Sequence, residues 1–314
     1  MRADVLTIGE AMVAIRCAGP LRLGGVSYIS VAGAEANVAI ALSRLGHAAR
    51  WVSAVGDDEP GELIRRTMRA EGVLAGHIAQ RADAPTGVML RDVAPGARAR
   101  VHYYRAGSAA STLSWQDVRP AADCGYSALH LTGITAALGE APLEAITTAA
   151  RRARDAGAWV SLDVNHRALL WTRGEAARTL RPLLRYVTVL IASDDELDIV
   201  ADGEHERDRV EALLRAGVEE VVVKHGAAGA GYHDAQSSFD VPALAVPVVD
   251  VIGAGDAFTA GYLSGRIDGL DPRGRLERAT ALGASAVACA GDWEGLPTRA
   301  ELAHLVLPSG EALR

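Results

Sequence analysis

Short apolar runs alternate with stretches of helical period along most of this chain, and that alternation is the strongest constraint on its fold. Strand-like runs at 5–8, 49–55, 128–131, 159–164, 187–192 and 221–224 are interleaved with helix-like stretches at 36–45, 62–71 and 143–156. The pattern predicts an α/β fold, a mostly parallel central sheet covered by helices. With 314 residues and 49% hydrophobic content, the chain has material for one large core and a small appendage. Two stretches interrupt the alternation: residues 12–32 and about 86–110 read as short strands with turns such as Gly24-Gly25 and Pro95-Gly96, without a helical pattern.

The charge balance narrows the class of partner. A net charge of −7 and a pI near 5.7 argue against a nucleic-acid surface, which normally carries a basic stripe, and point to a small-molecule substrate. Cys17, Cys124 and Cys289 are widely spaced, odd in number and in no metal pattern, so they read as reduced packing residues. The N-terminus enters a strand-like run directly, without the layout of a signal peptide, and no apolar run reaches the ~18 residues of a membrane span. No membrane association is expected, and the expected compartment is the cytoplasm.

The chemistry concentrates at Gly253-Ala254-Gly255-Asp256. The apolar, β-branched stretch 239–249 predicts a strand before this turn, and 257–267 has the small and apolar residues of a buried helix. Gly253 and Gly255 let a phosphate approach the backbone amides, and the first turn of a helix presents unpaired N–H groups and a dipole that favour anions. Asp256 is the odd residue, because a carboxylate repels phosphate. It fits a general base that takes the proton from a hydroxyl as that oxygen attacks the terminal phosphoryl group of ATP. An ordinary helix N-cap is the other role open to an aspartate at this position.

Residues 31–46, the segment Val55-Gly56-Asp57-Asp58 and the turn 253–258 together resemble the ribokinase-like (PfkB) carbohydrate kinases, in that family's order and across nearly the whole chain. More narrowly, Tyr103-Tyr104-Arg105 with the following Ala106-Gly107-Ser108, Leu131-Thr132-Gly133-Ile134-Thr135, and Asp163-Val164-Asn165-His166-Arg167 are similar to 2-keto-3-deoxygluconate kinases. The resemblance implies a ribokinase-like three-layer sandwich in one domain over 1–314, with 12–32 and 86–110 forming a small β-sheet lid that excludes water and mediates a homodimer. It implies ATP and Mg2+ as cofactors, Asp256 as catalytic base and Gly253, Ala254 and Gly255 as the anion hole.

On the acceptor side the resemblance implies that Gly33 and Asn37 contact the sugar, that Arg105 and Arg167 hold its acid group with Tyr103 and Tyr104 contributing hydroxyls, and that Asp292 touches substrate. Asn37 as a buried cap, Arg167 paired with Asp163 on the surface, and Asp292 as turn chemistry are the alternatives that the residues alone leave open. On the donor side Asn165, Ser193, Lys224, Gly226 and Gly229 are expected near the nucleotide, Glu196 near Mg2+ through water, and His225 as an exposed loop residue. The chain departs from the family at Ala32, where a second glycine is common, at Ser193 in place of asparagine, at Lys224 in place of threonine, and at Met89 in place of tyrosine. The segment 9–14 lacks the aspartate that ribose kinases use for vicinal hydroxyls, which favours an acid-bearing acceptor over fructose or ribose. A non-catalytic sugar or nucleotide sensor on the same fold has no use for Asp256, and no Gly-x-Gly-x-x-Gly follows the first strand as a dehydrogenase requires.

Overall fold

The computed structural model describes residues 1–94, 98–302 and 304–305; Pro95-Gly96 lies outside them. The chain begins β1 (Ala3–Ile8), β2 (Met12–Cys17), β3 (Ser27–Ala32), α1 (Ala34–Arg44), β4 (Ala49–Gly56), α2 (Glu59–Ala70), β5 (Leu74–Arg81), β6 (Val88–Ala94) and β7 (Arg98–Tyr104). It continues through α3 (Trp115–Asp123), β8 (Tyr126–Thr132), α4 (Gly133–Ala136), α5 (Glu140–Asp155), β9 (Trp159–Asp163), α6 (Arg173–Leu180), β10 (Val189–Ser193), α7 (Leu197–Val200), α8 (Glu206–Arg215) and β11 (Glu220–Lys224). The last elements are β12 (Ala230–His233), β13 (Ser238–Val241), α9 (Ala254–Ile267), α10 (Pro272–Val287) and α11 (Arg299–Leu302).

Nine strands form the central sheet in the order β13-β12-β11-β10-β9-β8-β1-β4-β5, parallel from β11 to β5 and closed by the antiparallel pair β12 and β13. Alternation along the strands builds two cores. Leu6, Ile8, Leu129, Leu131, Val160 and Leu162 pack with α3, α5, α6 and α8 on one face, whereas Val5, Trp51, Ala128, Val189 and Ile191 pack with α1, α2, α9 and α10 on the other. This is the expected three-layer sandwich. Burial on both faces explains why these strands read as continuous apolar runs.

Local signals place several helices. Asp58 caps α2 by accepting from the Gly61 amide at 2.8 Å, and it also accepts from the amide and hydroxyl of Thr86 at 2.8 and 2.7 Å, so one carboxylate fixes both the helix start and the approach to β6. Helices α9 and α10 approach closely because Gly261 and Gly265, one turn apart, have no side chain: a Cβ on Gly261 would lie 2.8 Å from Ala279 Cα, and one on Gly265 would lie 2.9 Å from Arg275 Cα.

The expected lid is a separate four-stranded sheet, β3-β2-β6-β7, in which β2 and β6 are parallel and the outer pairs antiparallel. The strand expected over 239–249 ends at Val241, and an irregular segment, rather than a strand, leads into α9. Pro242 and Pro247 supply no N–H for a further ladder, which accounts for the early stop. Of the cysteines, all free, Cys17 is buried as a packing residue, Cys124 is exposed instead and Cys289 is half-buried. Among the described residues no helix is long and apolar enough to cross a membrane.

Candidate active site

The site forms where β9, β10 and β11 end and the N-termini of α1 and α9 converge, outside the carboxyl ends of the parallel strands. Gly253 adopts φ 76°, a left-handed conformation that starts α9, and a Cβ there would lie 2.0 Å from the carbonyl oxygen of Asp292. No side chain caps this helix start, so the amides of its first turn keep their donors for an anion.

Asp256 sits in that first turn with 8% of its surface exposed. Its Oδ2 accepts from Asn37 Nδ2 at 2.8 Å and its Oδ1 from Asn165 Nδ2 at 3.4 Å. Burial pushes its carboxyl above the ordinary range, against the Asn37 hydrogen bond and the Arg167 charge. The carboxylate does not cap its own helix; it is held by two side-chain amides from other elements. Asn165 reaches it from a backbone at φ 39°, a region that asparagine tolerates better than most residues.

Asn37 therefore has a definite partner. Its Nδ2 is used on Asp256, while its buried Oδ1 has no protein partner and remains an acceptor for a hydroxyl. Gly33 is required by the chain itself, since a Cβ would lie 2.3 Å from the Glu10 carbonyl oxygen and 2.9 Å from Ala11 Cα.

Lys224 and Asp163 form the buried ion pair of the site, with Nζ 3.0 and 2.8 Å from the two carboxylate oxygens. Thr259 donates to the same carboxylate at 2.9 Å, which joins α9 to β9 and β11. Asp163 is thus engaged by Lys224, not by Arg167, and the exposed Arg167 contributes its charge to Asp256 through space. A Cβ on Gly255 would stand 3.7 Å from Lys224 Nζ, so the ammonium lies directly behind the anion turn.

The lid divides its candidates by face. Tyr103 packs with Met12, Ala14, Ala32 and Met89, and Arg105, just past the end of β7, has its guanidinium 5.6 Å from the Tyr103 ring centroid. Tyr104 points the other way and is 63% exposed, so the structure does not bring it together with Tyr103. Met89 occupies apolar lid packing where a polar contact would otherwise stand. Arg105 forms a buried ion pair with Glu10, whose other oxygen accepts from Ser108 Oγ at 2.6 Å. Burial raises the Glu10 carboxyl, while Arg105 and Ser108 pull it down.

Around the turn, Asp292 is pushed up to about 7, by burial first and then by Asp256 and Glu294. Gly226 and Gly229 have φ 56° and 112°, and a Cβ on Gly229 would lie 2.1 Å from the Val241 carbonyl oxygen. His225 is not an exposed loop residue: it is partly buried, with Nε2 2.9 Å from Glu206. Glu196 accepts from the amides of His166 at 2.7 Å and Ser193 at 2.8 Å, one on each oxygen. This donor set fits Mg2+ held through water by the remaining lone pairs, not by a direct bidentate contact. Among the described residues no group of three or more His, Cys, Asp or Glu converges as a metal cage.

Sequence reasoning singled out the turn, Asp256 and the asparagines, which the structure brings together, but not Glu35, Asp250 and Arg91. Glu35 is fully buried beneath the site and accepts from Thr132 and Thr135 at 2.7 and 2.5 Å; an acid within the apolar start of α1 is the signal that marks it.

Comparison with known proteins identifies a family. Residues 2–299 match the profile described as pfkB family carbohydrate kinase. The chain is 34% identical over 312 residues to a 2-dehydro-3-deoxygluconokinase of Bacillus subtilis (98% of this chain, 96% of the relative). It is 33% identical over 309 residues to a 2-dehydro-3-deoxygluconokinase of Thermoproteus tenax (96% and 94%). An E. coli protein described as a ribokinase II, solved in complex with ATP and Mg2+, superposes with a TM-score of 0.91 at 27% identity, covering 97% of this chain and 99% of that one.

Proposed function

The chain belongs to the pfkB family of carbohydrate kinases, and from that premise we propose that it transfers the γ-phosphoryl group of ATP to a terminal hydroxyl of 2-keto-3-deoxygluconate, the 2-dehydro-3-deoxygluconate of its relatives' names. The observation that carries the chemistry is the buried Asp256 carboxylate, fixed by Asn37 and Asn165 beside uncapped amides of α9. Asp256 removes the proton of the attacking hydroxyl, the new O–P bond forms as the bond to ADP breaks, and the proton resides on Asp256 Oδ. The amides of Gly253, Ala254 and Gly255 receive the phosphoryl charge, with the Lys224 ammonium behind them. Glu196 would hold Mg2+ through water, and the ion would supply neutralisation of phosphate charge.

Support for an acid-bearing acceptor comes from the exposed Arg167 beside Asp256, from Arg105 stacked near Tyr103, and from the two relatives named above. Asn37 Oδ1 is the free acceptor for a sugar hydroxyl, and Asp292 lies across the turn from Asp256. Asn165, Ser193, Gly226 and Gly229 frame the nucleotide side. The chain acts as one kinase unit in the cytoplasm. The lid pairs with that of a second copy, for which the exposed Leu23, Val26 and Ile29 offer apolar surface; a single-chain mass in solution at micromolar concentration would oppose this.

The test is ADP release with Mg-ATP and 2-keto-3-deoxygluconate, its galactonate epimer, gluconate, fructose and ribose. Keto-deoxy acids are expected to lead, and Asp256→Asn to lower turnover by roughly 10²–10⁴-fold. A leading neutral sugar overturns the acid assignment, and undiminished turnover in the variant overturns the base.

A further inference from the structure

The lid and the anion turn belong to different sheets and helices, yet one side chain ties them together. Arg91 on β6 lies on the same lid face as Met89, and its guanidinium reaches Asp250, 159 residues later, with Nη1 2.5 Å from Oδ2 and Nη2 2.7 Å from Oδ1. Side-chain exposure is 16% for Arg91 and 4% for Asp250, so the fork is largely shielded from water.

Asp250 occupies a structural knot. Its Oδ1 also accepts from the Ile252 amide at 3.1 Å, which shapes the three residues before Gly253, and its Oδ2 accepts from the Gly291 amide at 3.4 Å. Its own amide donates to the Val287 carbonyl at the end of α10. Gly253 in turn presses against the carbonyl of Asp292, so the run-in to α9 and the 291–292 loop rest on each other. One carboxylate thus sets the approach to the phosphoryl-binding amides and the loop carrying Asp292, and Arg91 fastens that carboxylate to the sheet bearing Tyr103 and Arg105.

Neither residue is an expected ligand of sugar or nucleotide. We propose that Arg91 is a positioning residue: its two-point grip on Asp250 sets the lid, which carries the acceptor side of the site, at a fixed distance from the amides that hold the donor phosphate. This rests on the kinase reading above but not on which sugar is the acceptor. Transfer needs the attacking oxygen within a near-attack distance of phosphorus, and a 1 Å error costs on the order of 10²-fold. A lid that slips also admits water.

The experiment is a cycle of Arg91→Gln, Asp250→Asn and the double variant, with Arg91→Lys as a fourth protein that keeps the charge but loses the planar fork. Read are kcat and KM on the best-accepted sugar, the share of ADP formed without phosphorylated sugar, and the melting temperature, with rates taken at equal distance below each variant's melting point. Each single change is expected to lower kcat by about 10²-fold and to raise the uncoupled share of ADP. The double variant should be no worse than either single one, and Arg91→Lys should recover melting temperature more than kcat. Multiplicative losses, wild-type kcat in Arg91→Lys, or a kcat loss without uncoupling would each overturn the proposal. Basal ADP release without any sugar reads the same cycle independently. Non-additive release supports the pair even if the sugar panel fails, and additive release overturns it.

Discussion

Glu35 offers a sharp test of the electrostatics beneath the site. Its carboxyl has no exposed surface; Oε1 accepts from Thr132 and Thr135, and Oε2 has no partner. Gly9 must lack a side chain for the carboxyl to fit, because a Cβ there would stand 2.2 Å from Glu35 Cδ. Burial pushes the group from its ordinary 4.5 up to about 7, against the two hydroxyl hydrogen bonds. The folded chain therefore holds a proton through a pH window in which the unfolded chain has released it. Stability falls as pH rises from the unfolded value towards the folded one, and levels off above about 7.

Glu35→Gln is neutral in both states and lacks this slope. The difference between variant and wild type cancels every other titrating group to first order, and the shift converts to about 2.5 kcal/mol in the variant's favour between pH 5 and 8, on top of a constant offset for the unpartnered amide. Urea unfolding of both proteins at half-unit pH steps measures it. A difference flat to within about 0.5 kcal/mol, or one running the other way, would mean that Glu35 is ionised in the folded chain, and the reasoning from burial would be wrong.

Three further outcomes follow from the same geometry. Lys224→Met leaves the Asp163 carboxylate, 1% exposed, with hydroxyl and amide donors but no cation, and is expected to lower unfolding stability by roughly 3–5 kcal/mol; a urea midpoint equal to wild type would refute that. Asp256 must be ionised to act as base, so kcat/KM should rise with pH through a value above the usual carboxylate range. Arg167→Gln, by removing a cation that pulls Asp256 down, should move that acid limb to higher pH. An unmoved limb would separate Arg167 from the base.

What was legible in the sequence had a local cause. The strands of the sheet interior announced themselves because both faces are buried, and the turn at 253–256 because glycine and aspartate there have few local uses. The strand expected over 239–249 failed because apolar content outweighed Pro242 and Pro247 in the reading, although two residues without N–H groups cannot sustain a ladder. Helix α10 is absent from the expected elements although Asp271-Pro272 marks its start, with Asp271 accepting from the Gly274 amide at 2.7 Å. The missing parts of the site are partnerships across long separations. A sequence shows that Arg91, Asp250, Glu10, Arg105, Asp163 and Lys224 are charged but not which cation meets which carboxylate. Asp163 illustrates this, since its neighbour Arg167 was the obvious partner and Lys224, 61 residues on, is the actual one.

These pairings bear on how a sugar acid would be held. Arg105 and Arg167 look equivalent in sequence, yet Arg105 is neutralised by Glu10 in a buried pair, whereas Arg167 is exposed and its field reaches Asp256. A carboxylate arriving near Arg105 would meet a guanidinium already paired with Glu10 and would gain directional N–H donors more than Coulomb attraction. The same carboxylate arriving near Arg167 meets an uncompensated cation. If the acceptor is a sugar acid as proposed, discrimination against a neutral sugar would fall mainly on Arg167, and Arg105 would orient what Arg167 attracts. A substrate anion that covers Arg167 also weakens the pull that keeps Asp256 ionised, which raises the affinity of Asp256 for the proton it is to accept. On this reading the acid group that secures the sugar also makes its catalytic base stronger.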